Sequence, residues 1–319
     1  GKGRLRRIRD YLEDHVEDVA KRVQDPGNLP PRHGLADTRY TIQYTWPFAM
    51  AGLFFSELEL RGLGGARGRR TLKTILEVLA DAQQPNGGWG HGRIHPMKQP
   101  ASGLLGGYPA TLVAATNCAA ITIGILGTMP GFDMKATIRK ARDYYRAARL
   151  GNGSFPYDPS QRSSGFSKTN VGRTAGSIYA MHCLGMARDR AFRGSVDYLL
   201  ENVEWISEGH GSPALNMLHG ALCCRMLGKQ AWKRFRATYE DRLIAAQDDD
   251  GVLNCICRQK AFGTTCDSRD PFGGSAAGAL LRDGRRCYTT ALHLFVLLLD
   301  RDNLETLKRR KPGPSITRR

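Results

Sequence analysis

Nowhere in the 319 residues do eighteen apolar side chains run together. The longest apolar stretch, Ala291–Leu299, is interrupted by His293, so no segment reads as a membrane-spanning helix. Aromatic residues are sparse at 8%, and neither an aromatic-rich RNA-binding motif nor a zinc-finger spacing occurs. Strings that alternate polar and apolar residues are scarce, which argues against a sheet protein. Acids are also short, with 30 Asp and Glu against 47 Lys and Arg and a net charge of +17. With 41% hydrophobic and 24% charged residues, collagenous and wholly disordered chains are excluded. The length suits one large domain or two ordinary ones, with a core that needs no disulfide or metal. The chain opens Gly1-Lys2-Gly3-Arg4 without a methionine or a signal-peptide core. The expectation is that any such segment has been removed.

The positive charge sits mainly at the two ends. Lys2, Arg4, Arg6, Arg7 and Arg9 stand before the first acid. Lys308, Arg309, Arg310, Lys311, Arg318 and Arg319 form an acid-free tail, leaving a net charge of only +6 for residues 10–307. Basic termini of this kind attract an acidic surface or a protein partner, and the body is too mildly basic for a dedicated nucleic-acid partner. Leu5, Ile8, Leu12, Val16, Val19 and Val23 follow one another at three- or four-residue steps and predict an amphipathic N-terminal helix. Of the eight cysteines, Cys118, Cys183, Cys223 and Cys224 fall in apolar helical patterns, where a free thiol behaves as a small hydrophobe. Cys255, Cys257, Cys266 and Cys287 lie in a loop-rich stretch, and free thiols, two disulfides or a zinc site all remain open for them.

The main signal is repetition. Five segments are apolar helices rich in small residues, mostly closed by Leu-Gly: 44–62, 110–127, 170–185, 213–228 and 286–300. Charged amphipathic helices alternate with them at 71–84, 135–150, 192–206 and 229–247. In the second of these, Ala136, Ile138, Ala141, Tyr144, Tyr145 and Ala148 mark the apolar face. A helix apolar all round is buried and one with a single stripe lies at the surface. The alternation therefore predicts an all-α chain with inner and outer helix layers, each buried helix closed by a glycine in the left-handed conformation. Between the helices recurs an Asn/Asp-Gly turn followed by an aromatic or aliphatic residue: Asn86-Gly87 before Trp89, Asn152-Gly153 before Phe155, Asp250-Gly251 before Val252 and Leu253, and a degenerate copy around Gly209. The glycine permits positive φ, the Asn or Asp bonds the local backbone, and the large side chain plugs between hairpins.

This pattern, over residues 38–303, resembles the α/α-toroid superfamily of terpenoid cyclases and protein prenyltransferase β-subunits. The stretches DAQQPNGGWGHG, GGYPATLVAATN, GNGSFPYD and EGHGSPALNMLHGALCCRMLG look most like a toroid family found largely in planctomycete-type bacteria. The resemblance implies a toroid of helical hairpins over 38–303, flanked by a basic amphipathic helix with linker at 1–37 and a basic tail at 304–319. It favours an exported bacterial protein over a cytoplasmic one. The superfamily's chemistry does not follow residue by residue. Terpenoid cyclases use Asp-x-Asp-Asp, whereas the run here is Gln247-Asp248-Asp249-Asp250-Gly251, placed at a turn. Prenyltransferases bind zinc through Asp-x-Cys and a later His. The corresponding helix starts here read Gly172-Arg173-Thr174-Ala175 and Cys287-Tyr288-Thr289-Thr290. The Trp89 turn is also similar to one in toroidal polysaccharide lyases, over about ten residues.

These readings leave a polar set expected at the mouths of the inner helices. His91, Arg173, His210 and Tyr288 are the candidates for acid–base or charge-neutralising work. Trp89, Tyr108, Asn117, Tyr157, Asn170 and Asn216 are the candidates for ligand contact, with no cofactor expected and no metal beyond the four loop cysteines. His182 and His219 lie within apolar helices and read as core histidines. Two functions follow: a binding or scaffold protein within a larger assembly, or an enzyme acting on a glycan or small molecule in a central cavity.

Overall fold

A computed structural model describes residues 2–24, 45–90, 111–127, 129, 131–160, 165–209, 213–254, 256, 289–299 and 304–308. The helices are α1 Lys2–Gln24, α2 Thr45–Leu60, α3 Gly65–Asp81, α4 Val113–Leu126, α5 Lys135–Ala148, α6 Val171–Cys183, α7 Arg190–Glu201, α8 Pro213–Leu227 and α9 Lys229–Ile244. They are followed by α10 over 289–298 and α11 Glu305–Lys308. Short 3-10 turns stand at Lys168–Asn170 and Val203–Trp205. The described residues contain no strand, only the isolated bridge between Gln247 and Leu253. The fold is all-α. None of the described helices is long and apolar enough to cross a membrane.

The chain divides into two compact units, residues 1–147 with 183–186, and residues 148–182 with 187–319. In the first, α2 packs on α3 and α4, and α1 lies on α3. In the second, α8 packs on α9. From α3 to α9, half-buried and buried helices alternate along the chain as the residue patterns predict, whereas α2 buries one side only. Every residue of α4 is buried, α6 is buried throughout, and α8 is buried except at Arg225 and Leu227. By contrast α3, α5 and α7 each bury one face. Asp189 starts α7 by accepting a bond from the Ala191 amide at 2.8 Å, a side-chain N-cap.

Four details depart from the expectations. First, α3 begins at Gly65 rather than near 71. Second, in α5 Ala136 is exposed and Ile138 only half-buried, so the core face is Ala141, Tyr144, Tyr145 and Ala148. Third, α10 is not enclosed: Leu292, Val296 and Leu299 are buried while Leu294, Phe295 and Leu298 are exposed. Apolar residues all round a helix state what it can bury, not which neighbours reach it. Fourth, the glycines that close these helices are of three kinds. Gly62 and Gly185 take positive φ of 69° and 78°, and Gly228 has φ 113° with extended ψ. Gly127 stays right-handed at φ −62°. A Cβ there would lie 2.4 Å from Ile138 Cδ1, so Gly127 serves the close approach of α4 to α5 rather than a left-handed cap.

Helix α1 starts at Lys2 and takes in the basic residues of the N-terminal stretch. Its packed face carries Glu13, Val16 and Ala20. Arg9 and Arg67 approach the Glu13 carboxylate at 3.6 and 3.4 Å. Burial nonetheless raises the Glu13 pKa, against the opposing pull of the two arginines.

Candidate functional site

The turn that joins a half-buried helix to the helix after it is built in the same way three times. In the first copy the Gln84 amide donates to the Gly88 carbonyl at 2.9 Å and the Gly87 amide to the Gln84 carbonyl at 2.8 Å. Leu150, Ser154 and Gly153 repeat the pair at 2.9 and 3.0 Å, and Asp248, Val252 and Gly251 repeat it at 2.8 and 2.9 Å. The side chains of Asn86, Asn152 and Asp250 each accept from the amide two residues on, at 3.1, 3.0 and 3.4 Å. Gly87, Gly153 and Gly251 take φ of 87°, 93° and 84°, the region glycine enters without a Cβ penalty. The run Asp248–Asp250 is thus one copy of a structural turn.

Past each glycine, a large residue is pinned to the following helix by a threonine. The Trp89 amide donates to Thr116 Oγ1 at 2.8 Å, Phe155 to Thr174 at 3.0 Å, and Leu253 to Thr290 at 3.0 Å. Trp89 and Phe155 are fully enclosed and Leu253 nearly so. Thr116 and Thr174 are the fourth residues of α4 and α6. Asn216 holds the same register in α8, and its amide donates to the Glu208 carbonyl at 3.1 Å, beside Gly209 with φ 114°. The threonines were not singled out in the sequence reading. Their signal was there: a Thr or Asn at the fourth residue of each buried helix that follows a turn.

This frame locates the described members of the polar set. Trp89 is buried with its indole Nε1 donating to the Leu79 carbonyl at 2.6 Å. Asn117 is buried in α4 and accepts from the Tyr145 hydroxyl at 2.9 Å. Burial raises the Tyr145 pKa well above the ordinary range. Asn170 donates to Ser154 Oγ at 3.4 Å, and Ser154 Oγ donates to Asn152 Oδ1 at 2.8 Å. His91, Tyr108, His210, Tyr288, Cys255, Cys257, Cys266 and Cys287 lie outside the described residues.

Arg173 gathers the rest. Its guanidinium donates to Asn170 Oδ1 at 2.8 Å and to Thr169 Oγ1 at 3.5 Å. It lies over the Tyr157 ring, 5.6 Å from the centroid. The side chain is buried, and burial lowers its pKa to about 10, opposed by Tyr157 and Tyr198. Tyr198 donates to the Ser167 carbonyl at 3.1 Å. A Cβ on Gly209 would stand 2.5 Å from the Thr169 carbonyl oxygen and 3.2 Å from an Arg173 nitrogen, so glycine alone fits there. The structure therefore joins Arg173, Tyr157 and Asn170 in one cluster, while Trp89 and Asn117 belong to the hairpin joints of the other unit. One residue before each threonine or Asn216, these helices carry Ala115, Arg173, Leu215 and Thr289. The arginine is therefore not a requirement of the repeat.

The four helical cysteines are buried and free. Burial pushes the Cys118 and Cys224 thiols up to about 12, which makes them poor nucleophiles. His219 and His293 are buried and pulled down to about 4, so they are neutral at pH 7. No group of three or more His, Cys, Asp or Glu side chains is arranged to hold a metal ion among the described residues.

Residues 11–274 match the family described as a domain of unknown function (DUF6288), and the chain belongs to it. No curated protein matches the chain.

Proposed function

We propose that this chain is a binding or scaffold protein of the α/α-toroid kind, part of a larger assembly, without the catalytic motifs of the terpenoid cyclases and prenyltransferases it resembles. One observation carries the reading: the polar residues of the joints are engaged in holding hairpins together. Trp89, Asn117 and Asn216 are each buried and bonded within the fold. Three turns repeat one bonding scheme, and a fourth is held by Asn216. Helical repeats of this type present extended surfaces to partners. The test is substitution of Asn117 and Asn216 by Leu, followed by equilibrium unfolding. Each should lose about 1–3 kcal/mol, the cost of leaving a buried polar partner unsatisfied. Unchanged stability in both would return these side chains to a ligand site.

A second reading is favoured by Arg173 specifically. Its register in the other three inner helices is occupied by Ala, Leu and Thr, and a buried guanidinium stacked on Tyr157 is costly to maintain. On this reading the cluster of Arg173, Tyr157 and Asn170 contacts a glycan or small molecule. A substrate whose turnover is lost in Arg173→Met, with the fold intact, would decide for it.

A further inference from the structure

The apolar stripe of α1 packs on the body only from its middle, at Val16, while its first members stand exposed. Glu13, Val16 and Ala20 are buried, whereas Leu5, Ile8 and Tyr11 are 38%, 52% and 66% exposed. Arg4, Arg6 and Arg7 are exposed on the same two turns. Arg6 approaches Asp10 at 3.9 Å and Arg9 approaches Asp10 and Glu13 at 2.9 and 3.6 Å, so part of the charge is spent within the helix. Arg4 and Arg7 form no ion pair among the described residues. At helical spacing Arg4, Arg7, Ile8 and Tyr11 fall on one strip, and Tyr11 continues it by stacking on His15 at 5.9 Å.

We infer that the first three turns of α1 form a docking surface for an anionic lipid bilayer, lying in the plane of the interface. Charge complementarity selects the occupant's sign, since residues 2–9 carry five basic side chains and no acid. The exposed Leu5, Ile8 and Tyr11 select its kind. A basic helix with an apolar strip buries that strip at the boundary between headgroups and acyl chains, where arginine stems reach phosphates while the strip leaves water. A nucleic-acid backbone would engage the arginines and gain nothing from Leu5 and Ile8. The inference does not depend on the reading of the Arg173 cluster, because it is argued from residues of α1 alone.

The experiment is co-sedimentation of the full chain with phosphatidylcholine vesicles, with and without phosphatidylserine, at about 0.1 M salt, where exposed charges still act over about 10 Å. Binding is expected to the mixed vesicles and not to phosphatidylcholine alone. Each arginine near such a surface contributes about 1 kcal/mol, so Arg4→Gln with Arg7→Gln should weaken binding about thirtyfold. Leu5→Ser with Ile8→Ser, at exposed positions that leave the fold intact, should weaken it about tenfold or more. Lys229→Gln with Lys233→Gln, exposed in the other unit, should change nothing. Separately, Ile8→Trp should show blue-shifted emission on the mixed vesicles and no shift with duplex DNA. Wild-type binding by the Leu5/Ile8 variant would overturn the inference. Tighter binding to DNA than to vesicles, with no contribution from Leu5 and Ile8, would overturn it equally, as a polyanion attraction alone.

Discussion

The hydroxyl of Thr116 lies 2.8 Å from the backbone nitrogen of Trp89, 27 residues earlier in the chain. It lies 3.2 Å from the Trp89 carbonyl oxygen, so one side chain satisfies both polar groups of a buried residue. Thr290 does the same for Leu253 at 3.0 and 3.5 Å. Backbone groups enclosed with a tryptophan have no water to turn to, and an unpaired one is costly.

Thr116→Val keeps the shape and removes the hydroxyl. The Trp89 amide is then buried without a partner, and the loss should be about 1–3 kcal/mol. Denaturant unfolding of Thr116→Val and Thr174→Val checks this. A change of less than about 0.5 kcal/mol in both would mean that the turn is held by other contacts.

Gly87 and Gly251 have nearly the same φ, 87° and 84°, but not the same surroundings. A Cβ on Gly87 would meet the Lys140 carbonyl oxygen at 2.1 Å, whereas on Gly251 the nearest atom is Gln247 Nε2 at 3.7 Å. Gly251→Ala should cost only the left-handed backbone penalty, about 1–2 kcal/mol. Gly87→Ala must in addition push the turn off α5, and should lower the thermal midpoint further than Gly251→Ala. Equal effects would show that the approach to Lys140 is loose.

The helix layers were legible because burial has a periodic signature. Small apolar residues filling α4 and α8 on every side announce enclosure, and the single stripe of α5 announces a surface helix. The turns were legible because Asn-Gly and Asp-Gly name a backbone conformation. The joints were not, since Thr116 and Trp89 are brought together across the long segment between α3 and α4 and no local pattern links them. Asn117 and Asn216 are candidate ligand contacts in the sequence because a polar residue on an apolar helix looks the same whether it faces a ligand or bonds within the fold, as Asn117 does with Tyr145 and Asn216 with the Glu208 carbonyl. Gly127 shows the opposite failure. Its Leu-Gly context matches that of Gly185, but the crowding by Ile138 that decides its role comes from α5.

Two buried histidines should make the protein sensitive to mild acid. His219 and His293 have folded values near 4 against an ordinary 6.5. Above pH 6.5 they are neutral whether the chain is folded or not, and no stability depends on them. Between pH 6.5 and about 4 the unfolded chain binds the proton first, so stability falls as pH falls. The slope is up to about 1.4 kcal/mol per pH unit for each histidine. Unfolding followed across this range should flatten in His219→Gln and His293→Gln. A slope unchanged by both substitutions would place the acid sensitivity elsewhere.

Arg173 can be separated from the joints by its effect on stability. Removing the buried guanidinium lifts the cost of holding a charge out of water, which offsets the loss of its bond to Asn170 Oδ1. Arg173→Met should therefore unfold within about 1 kcal/mol of the wild type, unlike Thr174→Val one residue away. A loss of about 3 kcal/mol or more would make the guanidinium a structural tie between Asn170 and Tyr157.

Whether the chain acts by holding a partner or by transforming a ligand is tested most directly by native mass spectrometry of the protein purified from its own source. The expected spectrum shows the chain bound to one or more protein partners, with no small molecule at one per chain. A stoichiometric small-molecule adduct that disappears in Arg173→Met, with no protein partner present, would contradict the scaffold reading and assign the Arg173 cluster to that ligand.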